Sequence, residues 1–209
     1  MNRATVDFRS ALHEDVDALL VIARESFPES LRWRWPRIVG RRWLNGMIQG
    51  SSSELWVATH GKVIMGFALL ILERDAWQQD VNNSSCGWPI NALTALCSPF
   101  VLARKWQTRN QQFRFPPVTV DRIVPSTQKS WLELIVTSPS QRYMGVGRHL
   151  LRHVEERTIK RGLHAIGLQV ETANAQAQCF YEDAGYQPTL SSPTLVTYQK
   201  VLIEDSLHS

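Results

Sequence analysis

The chain predicts an α/β fold: a single mixed, twisted β-sheet flanked by helices, with a partly helical insertion before the fourth strand. Three observations carry this. From Trp131 onward, apolar strand patterns alternate with helical ones, as in sheets that carry helices on their faces. Residues 54–58 and 63–72 are two apolar strand patterns joined by His60-Gly61-Lys62, a hairpin signal. The apolar run 132–136 passes directly into SPSQRYMGVGRHLL at 138–151, which reads as strand, glycine-rich turn and helix.

In chain order, residues 5–9 alternate as a strand. His13-Glu-Asp-Val-Asp17 then gives an acidic start to a helix with Val16, Leu19, Leu20 and Ala23 on one face, stopping near Pro28. A second helix turns Ile38, Trp43, Leu44, Met47 and Ile48 inward and Arg37, Arg41 and Arg42 outward, ending at Gly50. Gly66 inside the second hairpin strand predicts a bulge or a close backbone approach. Residues 73–130 are too long for a connection and read as an insertion, most helical over 90–106 and broken at Pro99, with loops on either side. A strand at 131–137 follows, then a helix from about 145 to 160 stopped by Gly162, a strand at 164–171 and a helix at 174–184 ended by Gly185. One or two last strands fill 186–201. No internal repeat appears, and residues 1–209 read as one domain.

At 209 residues and 23.9 kDa the chain can bury a sizeable core without disulfides. Cys86, Cys97 and Cys179 are odd in number and lack C-x-x-C spacing, which argues against a disulfide framework and a zinc ribbon. The start MNRATVDFRS has no apolar signal region, and no uncharged apolar run approaches about 18 residues. A cytoplasmic protein without stable membrane insertion is expected. The net charge of +4 is mild and selects no partner by itself.

Arg142-Tyr143-Met144-Gly145-Val146-Gly147 has the form R-x-x-G-x-G. Glycine lets backbone approach a phosphate without a Cβ in the way, and the unpaired N–H groups that open a helix favour an anion. A glycine turn with no ligand is the structural alternative. A dinucleotide fingerprint fits poorly, because the third glycine is missing. About thirty residues on comes ETANAQAQCFYEDAGY, with Asn174 at a strand exit, then a helix carrying Phe180 and Tyr181, then Gly185 and Tyr186.

The two segments together, at this separation, resemble the GNAT acyltransferase superfamily. The resemblance is specific over about residues 131–188, and the N-terminal elements follow in the right order. It implies a GNAT-type fold whose strands splay near Val136, and acetyl-CoA as cosubstrate. Residues Arg142, Tyr143, Met144, Gly145, Val146 and Gly147 would hold the pyrophosphate. Ile135 and Val136 would run beside the pantetheine, Asn174 would touch that arm, and Tyr181 would protonate the departing thiolate. Met144 departs from the basic or polar residue common at its position.

Transfer to an amine also needs a base. Glu133 is the candidate, since it lies in an otherwise apolar strand, where partial burial would raise its pKa, and alternation puts Trp131, Glu133 and Ile135 on one face. An exposed strand glutamate is the alternative. His149 and His153 have metal spacing, but with Arg152 and Glu156 they read as a solvated helix face beside the stripe Val146, Leu150 and Val154; no metal is expected. Cys179 has no base placed near it and is not read as a nucleophile.

The basic and aromatic residues Arg104, Lys105, Trp106, Arg109, Phe113, Arg114, Phe115 and Arg122 are diffuse, so nucleic acid is not favoured over a cover for the acceptor site or a partner surface. Trp33 and Trp35 line the acceptor pocket or pack the second helix. Phe27-Pro-Glu-Ser, the basic helix and the insertion resemble family members associated with surface polysaccharides or amino sugars. That implies a small-molecule amine acceptor, an amino sugar or its nucleotide-linked form, with phosphates meeting Arg37, Arg41 or Arg104. A protein N-terminus or lysine is the second acceptor class, and a non-catalytic coenzyme-A-binding regulatory domain the reading of another kind. A homodimer is open.

Overall fold

The computed structural model describes residues 6–26, 37–74, 76–77, 129–141 and 144–202. The sequence expectations for 27–36, for most of the insertion and for Arg142 and Tyr143 fall outside these. In chain order the elements are β1 (Asp7–Ser10), a single 3-10 turn (His13–Asp15), α1 (Val16–Ser26), α2 (Arg37–Gln49), β2 (Ser53–His60), β3 (Val63–Ile71) and β4 (Lys129–Thr137). A second 3-10 turn (Pro139–Gln141) leads to α3 (Val146–Lys160), β5 (Ala165–Glu171), α4 (Ala175–Glu182), β6 (Gln187–Ser191) and β7 (Leu195–Val201). The sheet order is β1-β2-β3-β4-β5-β7-β6. All neighbours are antiparallel except β4 and β5, which run parallel. The predicted mixed sheet flanked by helices is the fold observed.

Local chemistry accounts for most boundaries. Asp15 accepts from the Leu12 backbone N–H at 2.7 Å and from Arg9 at 2.6 and 2.8 Å, so the acidic start of the first helix is also pinned to β1. Gly61, Gly162 and Gly185 have φ of 59°, 72° and 86°. They serve the hairpin turn and the ends of α3 and α4, where other residues are strained.

Two buried clusters lie on opposite faces of the one sheet. Leu70, Leu132, Leu150, Val154, Ile166, Leu168, Tyr181 and Tyr198 pack on the α3 and α4 face. Leu19, Leu44, Met47, Val57, Phe67, Leu69 and Val136 pack on the α1 and α2 face. Ile38, expected inside, is 70% exposed, while Leu44 and Met47 of the same helix are buried.

Two bulges set the geometry near the middle of the sheet. Ala58 pairs with Gly66 and Thr59 with Ile64, leaving Met65 as an extra residue in β3. A Cβ on Gly66 would lie 2.5 Å from the Val136 carbonyl oxygen, so both outcomes predicted for this glycine occur together. Gly66→Ala is expected to lower stability by about 1–3 kcal/mol through forced backbone movement, read as a lower denaturation midpoint at unchanged m. In β4, Leu134 pairs with Leu69 and Leu132 with Leu70, so Glu133 is the extra residue.

Glu54 of β2 ties the sheet to α3. It accepts from Arg157 at 2.9 and 3.1 Å, from Arg161 at 2.8 Å and from the Trp56 indole at 2.8 Å. Burial alone would raise its pKa, but these donors outweigh it and hold the carboxyl at about 2 against an ordinary 4.5. The folded-state pKa is depressed, so this stabilisation is present above about pH 4.5 and is lost as pH falls toward 2. Glu54→Gln is expected to lower the neutral-pH Tm and flatten the acid limb of the stability curve, checked by thermal unfolding between pH 7 and pH 2.5.

Candidate active site

The site grows from the point where the sheet comes apart. Parallel pairing joins β4 to β5 only from Lys129↔Ala165 to Leu132↔Leu168. Beyond the Glu133 bulge, β4 continues to Thr137 with no partner strand on that side among the described residues, while β5 stays paired with β7 to Glu171. A cleft of about 430 Å³ lies at this splay, lined by Ile135, Thr137, Gln141, Gly145, Val146, Gly147, Arg148, Asn174, Gln176, Ala177, Phe180 and Tyr181.

One end of the cleft is the start of α3. Gly145 caps it at φ 80°, a left-handed conformation that turns the chain into the helix. The amides of the first helical residues lack intrahelical acceptors, and the helix dipole makes this end partly positive. Gly147 leaves room: a Cβ there would sit 3.6 Å from Thr137 and 3.7 Å from Phe180, against the cleft lining. A phosphate can therefore approach the backbone.

The other end is α4. The Asn174 side-chain oxygen accepts from the Ala177 N–H at 3.0 Å, which fixes the side chain as the helix cap and leaves its amide NH2 available as a donor. Tyr181 is 7% exposed, with its ring edge-on to Phe180 at 5.1 Å and to Tyr186 at 5.6 Å. Burial pushes its phenol well above the usual value, so it stays protonated through the physiological range. A protonated phenol beside a cleft can donate a proton to an anionic leaving group.

Of the predicted residues, the structure brings Ile135, Gly145, Val146, Gly147, Asn174 and Tyr181 around this cleft. Met144 is 59% exposed and does not line it. The Val136 side chain is buried in the opposite cluster, so Val136 meets the splay only through its backbone. Trp131, Glu133 and Ile135 do not share a face. The bulge shifts the alternation by one residue, putting Glu133 with Trp131 and Val136 on the α1 and α2 face and Ile135 on the other. Glu133 is half-buried on that face.

His153 is not on a solvated face. It is half-buried, stacked on Phe8 at 4.8 Å and edge-on to Trp56 at 4.4 Å, and burial lowers its pKa. His149 and Arg152 are exposed, and Val146, Leu150 and Val154 are buried as expected. Among the described residues no group of His, Cys, Asp or Glu could hold a metal, and no helix is long and apolar enough to cross a membrane. Thr137, Gln141, Arg148, Gln176, Ala177 and Phe180 line the cleft without having been predicted. The signal for Ala177 and Phe180 was their spacing of three and six from Asn174, one helix face.

Residues 16–186 match the Acetyltransferase (GNAT) family. The chain is a GNAT acetyltransferase. Solved structures similar to it include paia N-acetyltransferase from Thermoplasma acidophilum in complex with coenzyme A, at 15% identity over 94% of this chain and 99% of that one, TM-score 0.59. An acetyltransferase from Thermus thermophilus has 15% identity over 97% and 100%, TM-score 0.60. The ribosomal-protein-S18-alanine N-acetyltransferase from Escherichia coli has 15% identity over 95% and 94%, TM-score 0.57. At such identities the likeness is one of fold. No curated protein sequence matches significantly. As a GNAT acetyltransferase the enzyme uses acetyl-CoA, and the amide-lined, glycine-floored mouth of the cleft fits a pyrophosphate.

Proposed function

We propose that the enzyme acetylates the primary amine of an amino sugar by direct attack on acetyl-CoA, without a covalent enzyme intermediate. The observation that carries the acetyl transfer is the continuous cleft from the open end of α3, along the splayed edge of β4, to the buried phenol of Tyr181; the amino-sugar acceptor rests on the resemblance of Phe27-Pro-Glu-Ser, the basic helix and the insertion. In this assignment the backbone from Arg142 to Gly147 holds the pyrophosphate, Asn174 donates to the pantetheine arm, and Ile135 packs beside it. Bound acetyl-CoA supplies an activated acyl group whose thiolate the amine displaces.

The chain manages the protons. Tyr181 gives its proton to the departing sulfur, since burial keeps the phenol protonated until the thiolate forms beside it. Glu133 takes the proton lost by the amine. Its position on the face opposite the cleft lining supports a division of labour, with the donor held from the α3 and α4 side and the acceptor entering from the α1 and α2 side. A backbone N–H on the open edge of β4 polarises the thioester carbonyl.

Thiol release from acetyl-CoA, followed with a panel of amino sugars, their nucleotide-linked forms, polyamines and peptides with free N-termini, tests the acceptor class. Turnover highest with an amino sugar is the expected result. Turnover confined to peptides would instead give this enzyme the kind of acceptor in the name of the Escherichia coli protein. Glu133→Gln should lower kcat/KM for the amine by at least about 100-fold, and an unchanged rate would release Glu133 from its role.

A further inference from the structure

We propose that Arg74, seated on the indole of Trp131, binds a phosphate group carried by the amine acceptor. This rests on the amino-sugar assignment above and adds a charge requirement to it.

The seat is built across four strands. Ile71 pairs with Trp131, Trp131 with Gly167, and Gly167 with Gln199. The row lies on the sheet face away from the cleft, since Leu70, Leu132, Ile166, Leu168 and Tyr198 beside it point into the α3 and α4 cluster. A Cβ on Gly167 would lie 2.8 and 2.9 Å from the Trp131 ring. Only a glycine lets the indole lie down on β5 here. The Arg74 guanidinium then sits over the ring, 4.7 Å from its centroid.

Arg74 is exposed, and no carboxylate pairs with it among the described residues. A surface arginine usually samples many rotamers, and a partner must freeze them. Stacking on the indole removes part of that cost in advance, and the planar N–H edge of a guanidinium suits two phosphate oxygens. A second observation falls in the same row: Gln199 is 6% exposed, and among the described residues neither of its amide atoms has a partner. Packing alone would favour an apolar side chain there. The row therefore carries polar groups that the fold does not use.

Its place suits an acceptor. Glu133, the base assigned to the amine, lies two residues along β4 on the same face, about 7 Å along a strand. An aminohexose bearing a phosphate spans that gap. A polyamine is repelled by the same guanidinium.

The test uses the full-length protein with coenzyme A saturating the cleft, so that added phosphate cannot bind at α3. Calorimetry with an aminohexose phosphomonoester is expected to show binding that Arg74→Met weakens at least about 10-fold, that Arg74→Lys partly restores, and that Gly167→Ala, which displaces the indole, also weakens. In thiol release, Arg74→Met should lower kcat/KM for the phosphorylated and nucleotide-linked aminohexoses while leaving the unphosphorylated sugar and the KM for acetyl-CoA unchanged. The better of the two phosphorylated forms identifies the source of the phosphate. No binding, or equal binding by Arg74→Met, overturns the proposal whichever amine is acetylated. Arg74-dependent binding with no aminohexose turnover would support the phosphate site and sink the amino-sugar assignment instead.

Discussion

Tyr181→Phe is expected to reduce kcat by about 10²- to 10³-fold while leaving the KM for acetyl-CoA and the Tm nearly unchanged. General-acid assistance is worth roughly this much, and phenylalanine keeps the ring that packs on Phe180 and Tyr186. The defect should shrink with acyl donors whose thiol has a lower pKa, because a better leaving group needs less protonation. Burial holds the Tyr181 phenol protonated beyond the usual range, so the wild-type rate should not fall below about pH 9 on account of this residue. Steady-state kinetics with two thioesters check all three points, and a kcat within about 2-fold of wild type would remove Tyr181 from the chemistry.

Gly147→Leu is expected to weaken acetyl-CoA binding by about 100-fold or more without unfolding the protein. A Cβ at this position makes only ordinary contacts, at 3.6 and 3.7 Å, so the helix tolerates it, but the larger side chain fills the space where a pyrophosphate must meet the α3 amides. Gly145 gives a less clean test, since its φ of 80° adds strain to any substitution of about 1–2 kcal/mol. Calorimetry with coenzyme A beside thermal unfolding separates the two effects; unchanged affinity for Gly147→Leu would overturn the placement of the cradle.

What could be read from the chain was what is chemically local. Gly145, Gly162 and Gly185 announced a helix start and two helix ends, because a positive φ selects glycine wherever it occurs. Asn174, read from the sequence only as a strand exit, caps α4 through its side-chain oxygen. The bulge at Glu133 had no local marker, since an extra residue in β4 exists only in relation to its pairing with β3. That one insertion put Glu133 and Ile135 on opposite faces and separated Glu133 from the cleft lining. His153 went inside because Phe8 and Trp56 come to it from strands distant in sequence. The seat of Trp131 on Gly167 had a usable sign, a glycine within a strand, but the ring that needs it belongs to another strand. Among the described residues, the donor half of the site was written in two short segments; the acceptor half depends on which side chains meet across the sheet.

The brief pairing of β4 with β5 has a consequence for how the domain holds together. Four residue pairs are the whole hydrogen-bonded seam between a four-stranded and a three-stranded half of the sheet. Parallel pairing is also slightly less stable per residue than antiparallel pairing. A cosubstrate lodged in the splay lies against both halves, so its binding energy adds to their cohesion. Amides along the inner edge of β4 should therefore exchange with solvent fastest in the empty enzyme and slow when coenzyme A is bound, making the cosubstrate a staple for the sheet as well as a reagent.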